Sequence, residues 1–183
     1  MDSFFKEALL SFKTSGTIRP SSKYLIHACL KDIDFERAEN IIEFGAGNGC
    51  ITSEIISRKR KSTNLYSFEL NEKFYNHCKK RFHNEDGLHL IHGSVLEFDK
   101  ILESKKINNV DYFISSLPLS LFEKSTINSI IGKVVPNMNK DGMFIQYLYS
   151  FKRYKLLRKH FNQVAMDMTL LNLPPAIIFK CKK

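Results

Sequence analysis

The chain has 183 residues, 43% of them hydrophobic, and a formal net charge of +9 from 28 basic and 19 acidic side chains. That much apolar content rules out global disorder and suits one domain with a real core, while the positive excess points to an anionic partner: nucleic acid, a phospholipid surface or a phosphorylated small molecule. No apolar run approaches the ~20 residues of a membrane span. Met1-Asp2-Ser3 opens no basic, cleavable leader, and Cys29, Cys50, Cys78 and Cys181 form no CxxC pair. A cytoplasmic protein with reduced thiols and no metal site is therefore expected.

In chain order, Phe4, Phe5, Ala8, Leu9 and Phe12 fall on one side of a first, amphipathic helix. A turn-rich stretch from Thr14 to Ser22 follows, and Ser21 or Ser22 is placed to N-cap a helix through Leu30. Asn40 to Phe44 reads as a buried strand, and Cys50 to Lys59 as a helix with basic residues at its end. Leu65 to Leu70 is the second strand. Asn71 then N-caps a helix that carries Phe74, Cys78 and Phe82 on one face. Leu88 to Ile91 is a weaker third strand, with His89 and His92 expected to share a face; spacing places no third metal ligand beside them. Val110 to Ser115 is a fourth strand, followed by a helix over 122–135. Gly142 to Tyr149 is a fifth, with Tyr147 and Tyr149 pointing to one side, followed by a basic helix over 152–161. Val164–Leu171 and Ala176–Cys181 close the chain as two strands with no helix between them. Such alternation predicts an α/β fold with a mainly parallel seven-stranded sheet and an antiparallel C-terminal hairpin.

The most informative run is Ile41-Ile42-Glu43-Phe44-Gly45-Ala46-Gly47-Asn48-Gly49. Strand residues lead straight into spaced glycines and then a helix, which lets the backbone turn sharply and approach a ligand. A G-x-G-x-G run alone is weak evidence, since dinucleotide-binding folds share it. Glu43, just before the first glycine, favours a cationic ligand and would repel a pyrophosphate. The sulfonium and α-amino group of S-adenosylmethionine satisfy that preference. Glu69 ends the second strand, where a carboxylate meets ribose hydroxyls. Leu70 follows it, and Ser94-Val95 comes just after the third strand.

The segment Glu43 to Thr52 resembles the first motif of class I S-adenosylmethionine-dependent methyltransferases. Gly16-Thr17-Ile18-Arg19-Pro20-Ser21-Ser22, Ile114-Ser115-Ser116-Leu117-Pro118-Leu119 and Asn172-Leu173-Pro174-Pro175-Ala176 are similar to three further motifs of bacterial phospholipid N-methyltransferases. Ser116 stands where that family has glycine, and Ser94 where an acid is usual. The resemblance implies a Rossmann-like three-layer sandwich over residues 1–183. Residues 1–30 would be an N-terminal helical extension that covers the cofactor site or docks on membrane. It also implies methyl transfer to the amine of phosphatidylethanolamine, toward phosphatidylcholine, leaving S-adenosylhomocysteine. Glu43, Gly45, Ala46, Gly47, Asn48, Gly49, Glu69, Leu70, Ser94, Val95 and Ser115 would then hold the cofactor. Ser115 and Tyr147 would line the acceptor site, where an aromatic face steadies the developing cation.

Two other substrates stay open. Ribosomal RNA adenine N6-methyltransferases carry a related first motif and suit a basic protein. Here, however, Ser115-Ser116-Leu117-Pro118-Leu119 lacks the amide and the aromatic that an adenine would use. A small-molecule amine is the third option, and a non-catalytic module that binds cofactor or an anionic membrane is a fourth.

Overall fold

The computed structural model describes residues 21–183. The apolar stripe from Phe4 to Phe12 and the segment from Gly16 to Pro20 lie outside the described residues. The sheet has seven strands in the order β3-β2-β1-β4-β5-β7-β6. They are β1 (Asn40–Phe44), β2 (Asn64–Glu69), β3 (Leu88–His92), β4 (Val110–Ser115), β5 (Met138–Leu148), β6 (Gln163–Thr169) and β7 (Ala176–Lys182). β1 to β5 pair in parallel. β7 runs antiparallel to both β5 and β6, so it inserts between them and leaves β6 at the edge. Helices cover both faces, the three-layer arrangement expected of strand–helix alternation.

The helices are α1 (Lys23–Leu30), α2 (Cys50–Arg58), α3 (Glu72–Arg81), α4 (Phe98–Ser104), α5 (Lys124–Asn137) and α6 (Tyr154–His160). Caps set two of the starts. The Ser22 hydroxyl accepts from Leu25 N at 3.2 Å to open α1, and the Asn71 side chain accepts from Phe74 N at 3.2 Å to open α3. Strand alternation sorts the core. Ile42, Phe44, Phe113 and Phe144 face one layer, with Phe98, Ile127 and Leu157. Ile41, Ile114, Ile145 and Ile178 face the other, under Leu25 and Cys29 of α1.

The structure adjusts several expectations. α4 fills the crossover between β3 and β4, where no helix is predicted. Phe98 and Leu102 are its buried residues, and a spacing of four puts them on one face. β5 begins at Met138 rather than Gly142, across a register shift in its pairing with β4. A 3-10 turn, Leu119–Leu121, precedes α5, which starts two residues later than the pattern predicts. His89 and His92 do not share a face. They are three residues apart, so alternation turns them to opposite sides. His89 stacks on Tyr66 at 4.5 Å, and His92 stacks on Tyr75 at 4.8 Å.

On the α1 side, Lys180 of β7 is 8% exposed. It donates to Asp32, just beyond α1, and to Asp167 of β6, the latter at 2.5 Å. Lys31 reaches Asp167 as well, at 2.9 Å. Burial works against the Lys180 ammonium, but Asp167 and Asp32 outweigh it and raise its pKa. Together these groups fasten α1 to the C-terminal hairpin.

Candidate active site

Parallel strands place β1, β2, β4 and β5 so that their C-terminal ends meet along one edge of the sheet. Gly45, Gly47 and Gly49 carry positive φ angles of 87°, 57° and 80°, a region that glycine enters without a Cβ penalty. The loop they form is held on every side. Gly45 N and Ala46 N donate to Phe68 O at 2.8 and 3.0 Å. Ser116 Oγ donates to Gly45 O at 2.5 Å and to Phe44 O at 3.1 Å. From α3, Cys78 Sγ meets Gly47 O at 3.4 Å, and Arg81 Nη1 donates to Asn48 O at 3.2 Å. The Asn48 side chain accepts from Cys50 N at 3.3 Å and helps to start α2.

The three glycines have different surroundings. A Cβ at Gly49 would lie 2.6 Å from the Phe82 ring, and one at Gly45 would lie 2.7 Å from Ser116 Oγ. A Cβ at Gly47 would meet nothing within 4 Å. Gly45 and Gly49 are therefore required by packing, whereas Gly47 opens onto free space at the sheet edge. That is the place a ligand would take.

Two carboxylates stand under the loop. Glu69, 1% exposed, accepts from Gly47 N at 2.8 Å and from Asn71 N at 2.7 Å. Glu43, also 1% exposed, accepts from Thr52 Oγ1 at 2.7 Å and from Ser67 Oγ at 2.6 Å. It braces β1 against α2 and β2, and its charge reaches the loop through space. Neither Thr52 nor Ser67 stands out in the sequence; only sheet register and the position of α2 bring them to Glu43.

Leu70, Ser94 and Val95 meet at the neighbouring ends of β2 and β3. Gly93 N donates to Glu69 O at 3.1 Å, which ties these ends together. Ser94 Oγ accepts from Leu96 N at 3.2 Å and caps the short turn that begins at Val95.

Ser115 ends β4 at 1% exposure, flanked in register by Phe44 and Gln146. Its hydroxyl accepts from Leu117 N at 3.4 Å. Tyr147 and Tyr149 share one side of the chain, their ring centroids 6.1 Å apart, although Tyr149 lies one residue past β5. Burial pushes the Tyr147 phenol well above its ordinary value, opposed by a hydrogen bond with Ser21. Tyr147 therefore offers a ring face and a neutral O–H rather than a base. Sequence reasoning missed Gln146 and read Arg153 only as part of the basic helix over 152–161. Gln146 is fully buried and donates to Leu117 O at 3.0 Å and Tyr147 O at 2.7 Å. Arg153 donates to Leu119 O, Ser120 O and Phe122 O at 3.0, 3.3 and 2.7 Å. Both shape the turn after β4, a role that sequence spacing does not show.

Strand order 3-2-1-4-5-7-6, a glycine loop after β1 and an acid after β2 define an S-adenosylmethionine-dependent methyltransferase of class I. The open space above Gly47, with Glu69 beneath it, fits that cofactor. The chain belongs to the ribosomal RNA adenine dimethylase family, whose sequence profile matches residues 21–131. It is 27% identical to an ornithine lipid N-methyltransferase of Singulisphaera acidiphila, over 91% of this chain and 88% of that one. It is 31% identical to ribosomal RNA small subunit methyltransferase A of Prochlorococcus marinus, over 52% of this chain but 34% of that one. Among solved structures, human methyltransferase-like protein 13 in complex with SAH superposes with a TM-score of 0.64 at 13% identity, covering 81% of this chain and 73% of that one.

Proposed function

We propose that the protein transfers a methyl group from S-adenosylmethionine to the primary amine of a membrane lipid, an ornithine lipid or phosphatidylethanolamine. The observation that carries this reading is the end-to-end match to the ornithine lipid enzyme. It spans 91% and 88% of the two chains, against 52% and 34% for the ribosomal RNA methyltransferase. The turn after β4 supports it. Ser116, Leu117 and Leu119 offer neither an amide nor an aromatic ring to a flipped adenine.

In this reading Gly45 to Gly49, Glu69, Leu70, Ser94 and Val95 hold the cofactor, which supplies an electrophilic methyl when bound. Glu69 orients the ribose while fixing Gly47, and Glu43 favours the cationic end through space. Ser115 and Tyr147 position the amine for in-line attack, where alignment contributes most. The Tyr147 ring face stabilises charge gathering on the amine nitrogen. Because the Tyr147 phenol stays protonated, the amine loses its proton to water or, in phosphatidylethanolamine, to the lipid phosphate. Residues 1–183 then act as one domain, with residues 1–30 covering the cofactor site or docking at the inner face of a membrane.

The second reading, adenine N6-methylation of ribosomal RNA, is favoured by the family profile over residues 21–131. A methyl-transfer assay decides between them. Labelled S-adenosylmethionine is offered with vesicles of phosphatidylethanolamine, vesicles containing ornithine lipid, undermethylated ribosomal RNA and small amines. Label in a lipid amine is expected. Label in RNA, with none in either lipid, overturns the proposal.

A further inference from the structure

Because β6 and β5 are both antiparallel to β7, the loop between β6 and β7 emerges at the sheet end where β1, β4 and β5 stop. Leu170, Leu171 and Leu173 in that loop are 69%, 63% and 71% exposed. Looseness does not explain this. Asn172, in their midst, is 7% exposed, with Nδ2 donating to Pro174 O at 2.8 Å and Oδ1 accepting from Ser22 N at 3.2 Å. Tyr149 hydrogen-bonds the same side chain. Asn172 thus anchors the loop inward and leaves its leucines pointing out. Phe151, two residues past Tyr149, is 61% exposed and extends the apolar rim. Exposed Lys23 and Lys152 border the rim.

We infer that the Leu170–Leu173 loop is a membrane-insertion edge, with the three leucines entering the acyl boundary of an anionic bilayer while the bordering lysines meet its headgroups. Three adjacent exposed leucines beside lysines match an interface that is apolar within and anionic at its surface. The inference takes its purpose from the lipid reading, since it would bring the acceptor end of the sheet to the headgroup plane.

The chain contains no tryptophan, so Leu171→Trp creates a sole fluorescent reporter. Vesicles of phosphatidylglycerol and phosphatidylethanolamine in equal parts are the probe, on the full chain. Emission from L171W is expected to shift to shorter wavelength when vesicles are added, and to be quenched by lipids with brominated acyl chains. The triple variant Leu170→Ser, Leu171→Ser, Leu173→Ser is expected to lose vesicle partitioning by at least about tenfold. Its S-adenosylmethionine binding and melting midpoint check the fold. Should the triple variant fail to fold, the tryptophan reporter alone decides.

The inference is overturned if the triple variant sediments with vesicles as the parent does. It is also overturned if the emission of L171W is unmoved by vesicles. That includes the case where residues 1–20 already cover the loop and the emission starts blue. A shift with ribosomal RNA and not with vesicles overturns it too. The lipid reading is tested apart, with wild type on short-chain phosphatidylethanolamine below its micelle concentration. No methylation there, nor of a short-chain ornithine lipid in the same assay, with leucine-dependent vesicle binding intact, removes the substrate assignment and leaves the docking edge standing.

Discussion

The two ends of the sheet are built on opposite principles. At the β1–β2 end, backbone and carboxylate are locked together: Gly47 N on Glu69, Gly45 O on Ser116, Glu43 on Thr52 and Ser67. At the β5–β7 end, an ion cluster around the buried Lys180 holds the framework, and the sheet end above it exposes leucines, Phe151 and Tyr149. In the proposed reading the first end holds one small polar ligand in a fixed pose, and its polar groups are spent on rigidity. The second would face the acceptor in that reading, and large apolar groups remain open there. The contrast is between an end where backbone geometry is fixed by polar contacts and an end where exposed side chains stand on a frame secured elsewhere.

The sharpest way to break this contrast is at the glycines. Gly49→Val adds left-handed strain and forces atoms into the Phe82 ring, so it should cost about 4 kcal/mol of stability in a denaturant titration. A Cβ at Gly47 meets no protein atom, so the cost of Gly47→Val should be mainly strain, about 1–2 kcal/mol. Cofactor binding by calorimetry should nevertheless vanish. If G47V keeps full affinity, the ligand does not lie over the loop.

At the other end, Asp32→Asn with Asp167→Asn leaves Lys180 buried without a counter-charge. A loss of about 2 kcal/mol is expected, reduced from a fully buried pair because both acids are partly hydrated. Cofactor affinity should not change. Hydrogen bonds from Lys180 and then Lys31 hold the Asp167 carboxyl below its ordinary 3.8. This contribution is therefore present above that value and disappears as pH falls through the lowered one, which acid titration of wild type against the double variant will show.

Next in size, Glu69→Gln should weaken S-adenosylmethionine binding by about 1–3 kcal/mol, because a charged acceptor is replaced by an amide. Ser116→Ala removes one hydroxyl from two carbonyls and should cost about 1 kcal/mol of stability. The smallest effect concerns the thiols. Burial pushes Cys29 and Cys181 from 9.0 up to about 12, so both remain protonated through pH 9. Cys50 is only half-buried, while Cys29, Cys78 and Cys181 are buried. A thiol reagent should therefore modify Cys50 first, with no change in melting, as mass spectrometry will read.

Much of this was legible in sequence because it is local. The strand Asn40–Phe44, the glycine run, a cap at Ser21 or Ser22, the Asn71 cap and the alternation of strand with helix all follow from periodicity and capping chemistry within a few residues. Glu69 at the end of β2 could be placed because a strand and its following acid are contiguous. What escaped was non-local or cut across alternation. α4 escaped because its buried face is only Phe98 and Leu102. The true start of β5 depends on a register shift against β4.

The sequence by itself determined the α/β class and the cofactor loop, since both are written in runs of adjacent residues whose backbone preferences leave few alternatives. Only the tertiary structure decided that Glu43 is braced by Thr52 and Ser67, that β7 lies inside β6, that Lys180 meets two acids, and that Asn172 turns three leucines outward. Those pairings join residues up to 150 positions apart. Their energy comes from desolvated contacts that exist only once the sheet has closed, and no local propensity encodes them.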